Sequence, residues 1–105
     1  VTIIHSIVTL KPEEAKDLVF QIRTAVPEKL VCVIGSTGGN KPLLSVIFSD
    51  DMVNDHKLNA GKMIREAAKL IKGGGGGQAY YAQAGGKDLN GLSAAVDKII
   101  NLANL

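Results

Sequence analysis

Two apolar runs, "LVCVIG" at residues 30–35 and "LLSVIF" at 43–48, constrain the fold more than anything else in the chain. The first is apolar without a break, and a strand of that kind must be covered on both faces. Between the runs stands "STGGNKP", a cluster of turn formers, so the pair is predicted to form an antiparallel hairpin. Such a hairpin cannot stand alone in water. It needs further strands and helices packed upon it.

The flanking sequence supplies them. "VTIIHSIV" is β-branched and reads as a first strand. Pro12 opens a helix in which Ala15, Leu18, Val19, Ile22 and Val26 recur at helical spacing, and Pro27 ends it. "SDDMVNDHK" reads as a polar loop. A second helix is predicted from an Asn59 N-cap to Lys72, with Gly73 as its C-terminal stop. "AYYAQA" reads as a short strand, and a last helix begins near Asp88 with Leu92, Val96, Ile99, Ile100 and Ala103 as its buried stripe. The order β-α-β-β-α-β-α predicts an α/β fold: a small mixed β-sheet of about four strands packed with three helices, its first β-α-β a right-handed crossover. Residues 1–105 make one domain, large enough to bury roughly 60–68% of the surface of its unfolded chain. The chain enters its first strand almost at Val1, which predicts a piece of a longer protein.

An apolar content of 46% with 21% charged residues excludes disorder as a class. Cys32 is the sole cysteine, so no internal disulfide forms, and its place in "LVCVI" predicts a buried, inert thiol. No apolar stretch has the length of a membrane-spanning helix and no signal peptide is visible, so a cytoplasmic chain with no membrane partner is expected. His5 and His56 have no Cys, His or carboxylate at ligand spacing, which argues against a metal site. Asp50 and Asp51 read as a turn, and no nucleophile–base pair stands out. No catalytic residue is expected here.

Charge is distributed unevenly. The chain carries +2 overall, yet Lys57, Lys62, Arg65, Lys69, Lys72 and Lys87 face a single acid, Glu66, between residues 57 and 87. Lys62, Arg65, Lys69 and Lys72 stand at i, i+3, i+7 and i+10, within an arc of roughly 80° on a helix of about 100° per residue. Solvated helix faces normally interleave both signs. A one-signed ridge points instead to a phosphate backbone.

That ridge runs into Gly73, Gly74, Gly75, Gly76 and Gly77. A flexible tether is the ordinary reading of such a run. Five residues are short for one, and ordering glycines is entropically costly, so a fixed run needs a reason. Two offer themselves: close approach of another backbone or a ligand, and an anion-binding nest of successive N–H groups. The run follows a helix instead of opening one, which excludes a dinucleotide fingerprint. "GSTGGNKP" likewise fails as a P-loop, since Asn40 and Pro42 flank the lysine where glycine and Ser/Thr are required. Tyr80 and Tyr81 are consecutive on a predicted strand and are expected to point to opposite faces, one to the core and the other either stacking on a base or resting idle on the surface.

With those residues in view, the chain resembles the DHH-associated domain family, in the form found at the C-terminus of bacterial alanyl-tRNA synthetases. The likeness spans essentially the whole chain. Its most specific element is "LNAGKMIREAAKLIKGGGGG" followed by "AQAGGKD". The resemblance implies a non-catalytic module that binds the outer corner of tRNA(Ala), assists aminoacylation and editing, and in some members contributes to a homodimer. Implied RNA-binding residues are Lys62, Arg65, Lys69, Lys72, the glycines 73–77, Gln78, Tyr80, Tyr81, Gln83, Gly85, Gly86 and Lys87. No cofactor is implied for this chain. The parent synthetase would use ATP with magnesium, and zinc, in its other domains, which are also implied partners.

The sequence departs from the family at Gln78-Ala79-Tyr80, where Arg-Pro and an acid are common. Amide hydrogen bonding by Gln78, or stacking by a tyrosine, would replace the arginine. Three other readings remain: the substrate-holding half of a DHH-type phosphoesterase, the tail of a free-standing alanyl-tRNA editing protein, and a structural module that dimerises through the glycine run and last helix. Residues 78–84 lack the histidine expected of the phosphoesterase branch.

Overall fold

A computed structural model describes residues 1–103. Five strands, β1 (Thr2–Val8), β2 (Leu30–Ser36), β3 (Leu43–Phe48), β4 (Gly74–Gly77) and β5 (Tyr81–Gly85), form one sheet in the order β1-β2-β3-β5-β4. Strand β1 runs parallel to β2, and the other pairs are antiparallel. Helix α1 (Pro12–Ala25) links β1 to β2. Helices α2 (Asp50–Asn54) and α3 (Ala60–Ala68) follow β3, and α4 (Leu92–Ala103) follows β5. The mixed α/β class is as predicted, with one strand and one helix more than expected.

Both apolar runs are central strands covered on both faces. On one side Leu30, Cys32, Ile34 and Ile47 pack with Val19 of α1. On the other Val31, Val33, Leu44, Val46 and Phe48 pack with α3 and α4. Every residue of β2 is buried. Burial pushes the Cys32 thiol up to about 12, so it is held as the neutral, unreactive form. Small residues set the spacing of the other layer: Ala60, Ala67 and Ala68 of α3 lie in one core with Ala82 and Ala84 of β5.

Two expectations need correction. "SDDMVNDHK" is not all loop. Asp50–Asn54 form a short helix, anchored by Met52 in the core and by the Asp51 carboxylate, which accepts from the Lys29 amide. A hydrogen bond from Ser49 holds the Asp51 carboxyl below its ordinary range, helped by that same amide. The helix expected to reach Lys72 ends at Ala68 and tightens into a 3₁₀ turn over Lys69–Ile71. Lys72, not Gly73, takes the left-handed conformation that stops it, with φ 52°.

Candidate nucleic-acid interface

Four of the five glycines, Gly74–Gly77, form strand β4, and its geometry explains part of the run's composition. Gly74, Gly75, Gly76 and Gly77 pair with Gly85, Ala84, Gln83 and Ala82. A Cβ on Gly73, Gly75 or Gly77 would lie 2.0, 2.3 or 2.4 Å from the carbonyl oxygen of Gly85, Gln83 or Tyr81. The hairpin closes so tightly that only glycine fits there. Of the two reasons offered for the run, close backbone approach holds and the anion nest finds no support: none of Gly73–Gly77 has a positive φ.

The alternate positions behave differently. A Cβ on Gly74 would meet no atom within 4 Å, and the same holds for its cross-strand partner Gly85. On Gly76 it would touch only the Arg65 guanidinium, at 3.7 Å. Successive strand residues face opposite ways. Ala82 and Ala84 face the α3 core, so Gly74 and Gly85 lie on the other side of the sheet. Helix α1 covers that side over β2 and β3 and meets β5 at Tyr81, where Phe20 sits 4.8 Å away centroid to centroid. The Gly74–Gly85 end is bare.

Helix α3 presents Lys62 and Arg65 to solvent, and the 3₁₀ turn that ends it presents Lys69. The start of α3 is fully committed inside the chain. Asn59 Oδ1 accepts from the Lys62 amide at 3.0 Å, while the carbonyls of Ala79 and Gln78 accept from the Ala60 and Gly61 amides at 2.8 and 3.1 Å. The helix N-terminus therefore offers no amide to an anion. Lys69 lies 3.8 Å from Glu66, an exposed pair of small energetic weight.

Lys72 leaves the ridge. Its left-handed turn places it on a cleft of about 570 Å³ at the bare end of the sheet. Gly73, Gly74, Gly85, Gly86 and Lys87 line the same cleft, so six predicted residues converge there. The opposite wall comes from the β2–β3 turn, with Gly38, Gly39, Lys41 and Pro42, and from Pro12 of α1. Sequence reasoning missed this wall, because nothing local in "STGGNKP" ties its lysine to the glycine run; the sheet register alone brings them together.

The remaining predicted residues sit elsewhere. Tyr81 packs on Phe20 beneath α1, and burial raises its phenol pKa. Tyr80 is half-buried just before β5, with the Arg23 guanidinium 5.1 Å above its ring, so the two tyrosines do not alternate along a strand as expected and both meet α1. Neither tyrosine lines the cleft. Gln83 Nε2 donates across to Ser45 Oγ at 3.3 Å. Gln78 is exposed at the β4–β5 turn, where its backbone N–H donates to the Tyr81 carbonyl at 2.8 Å.

Comparison with known proteins places this geometry in context. The DHHA1 domain family matches residues 1–104. The alanine–tRNA ligase of Bacteroides fragilis is 44% identical over 105 residues, covering 100% of this chain and 12% of that protein. The Bacteroides thetaiotaomicron ligase is 47% identical over 96 residues, covering 91% of this chain and 11% of its own length. The chain thus spans about an eighth of the curated relatives it matches. The crystal structure of the C-Ala domain from Aquifex aeolicus alanyl-tRNA synthetase superposes with a TM-score of 0.79 at 34% identity, over 97% of this chain and 87% of that one.

Proposed function

The chain belongs to the DHHA1 domain family, and from that premise we propose that it is the tRNA-binding C-terminal module of a cytoplasmic alanyl-tRNA synthetase. It contributes no catalytic residue. Aminoacylation, with its ATP and magnesium, and zinc-dependent editing belong to other parts of the parent enzyme. The module's part is to hold tRNA(Ala) for both reactions.

One observation carries the reading: Lys62 and Arg65 of α3 and Lys69 of the turn that ends it stand exposed, with the Arg65 guanidinium beside the glycine strand. Cations on a rigid helix next to a strand without side chains suit a phosphate backbone, which is read by charge and shape. The bare glycine edge lets the polyanion come close.

The test is fluorescence anisotropy with tRNA(Ala) over a salt series. Arg65→Ala and Lys69→Ala should each weaken binding and lower the log–log salt slope by roughly 0.7–0.9 for each phosphate no longer neutralised. Binding that ignores salt and both substitutions would remove the basis for this reading.

A further inference from the structure

We propose that the cleft between the β2–β3 turn and the glycine edge seats one nucleotide of the bound RNA. Its phosphate lies among Lys41, Lys72 and Lys87, and its sugar or base rests on Gly74 and Gly85. The proposal deepens the RNA-binding reading and rests on it, adding a wall and a floor that the α3 ridge does not include.

Charge is the first argument. Three lysines from separate parts of the chain line the cleft, and among the described residues no carboxylate lines it with them. The ion pairs among the described residues, Arg23–Asp50 and Lys69–Glu66, involve none of the three. Like charges gathered without a counter-charge repel, and an anion between them relieves that repulsion. Backbone conformation adds to this. Lys72 holds a left-handed φ of 52°, and the turn before Lys41 contains Gly39 at φ 92° and Asn40 at φ 65°. Both lysines are thus delivered by local conformations that most side chains avoid.

The floor is the second, independent argument. Gly73, Gly75 and Gly77 are glycine because a methyl group would strike the neighbouring strand. Gly74 and Gly85 are not, since a Cβ on either meets nothing within 4 Å. No described residue fills that space, so it permits close approach by something outside. At about 570 Å³ the cleft falls in the range of small-molecule sites, roughly 300–1,000 Å³, and is larger than a lone phosphate requires. Pro12, Pro42 and Leu43 add apolar walls for a sugar or base.

The experiment measures tRNA(Ala) affinity of the chain carrying Lys41→Ala, Gly74→Val or Gly85→Val, beside the ridge variant Arg65→Ala, with thermal unfolding as the fold control. Lys41→Ala should bind several-fold more weakly, with a salt slope smaller by roughly 0.7–0.9. Each valine should weaken binding about tenfold or more, roughly the loss of one well-seated stacked base, while the melting temperature holds or rises. If Arg65→Ala weakens binding but Lys41→Ala and both valines bind normally, the cleft assignment is wrong and the RNA reading survives. If no variant alters affinity, Arg65→Ala included, the RNA reading fails and takes the cleft with it. Adenosine monophosphate alone should show no saturable binding below millimolar concentration. Micromolar binding of the free nucleotide that leaves RNA affinity unchanged would overturn the assignment to an RNA-borne nucleotide.

Discussion

Gly75 and Gly74 are neighbours in one strand with opposite surroundings. A methyl group on the first would lie 2.3 Å from the Gln83 carbonyl oxygen, and on the second it would meet no atom within 4 Å. The same residue type answers two different needs. At 73, 75 and 77 glycine lets β4 close onto β5, a requirement of folding. At 74 and 85 the space lies open to solvent, on the floor of a basic cleft. A run that looks uniform as a string is divided by the strand's period of two into a structural face and a face available for binding.

The largest effect should come from breaking the structural face. Gly75→Ala places its Cβ also 2.5 Å from Ala84 Cα, and backbone cannot yield as a flexible side chain would. Overpacking of that severity costs about 2–3 kcal/mol. Urea unfolding should show that loss, with hydrogen exchange quickening first across β4 and β5. A Gly75→Ala protein of unchanged stability would mean that the hairpin is looser than its closed geometry, and the distinction between faces would fall.

A smaller effect of opposite sign is expected at the strand's entrance. Lys72 occupies the left-handed region, where an L-residue costs about 1 kcal/mol relative to its ordinary conformations. Lys72→Gly should therefore raise stability by about 1 kcal/mol in urea unfolding while it weakens tRNA binding in anisotropy. The two readouts moving in opposite directions would separate the lysine's charge from its part in stopping the helix. A fall in both would show that Lys72 serves the fold.

How much of this is legible in the sequence depends on what carries the signal. Apolar periodicity reveals α1 and α4, because Ala15, Leu18, Val19 and Ile22, and Leu92, Val96, Ile99 and Ala103, recur with the helical turn, while the Asn59 cap and the cation spacing reveal α3. The unbroken apolar runs reveal β2 and β3. Strand β4 is hidden for a physical reason: alternation is a property of side chains, and Gly74–Gly77 have none. Lys69 and Lys72 look equivalent on a helical wheel, but the 3₁₀ turn and the left-handed Lys72 send them to different surfaces. Lys41 carries no local signal of its own, since its neighbours spoil a P-loop. Only the antiparallel register that places Leu43 beside Gly85, and Gly85 beside Gly74, brings its turn to the glycine edge. That proximity spans three strands, and no local pattern encodes it.

The finest test of the comparison is Gly74→Ala, the counterpart of Gly75→Ala one residue away. Gly74 lies outside the left-handed region, so alanine can adopt its backbone without strain. With no atom in the way, the main consequence is fewer conformations in the unfolded chain, which should stabilise the protein by about 0.4–1 kcal/mol. Paired urea curves of the two alanine variants would then shift in opposite directions from the parent. If Gly74→Ala instead destabilises, glycine at 74 is demanded by the fold itself. The bare floor would then need no ligand to explain it, and the case for the cleft would rest on Lys41, Lys72 and Lys87 alone.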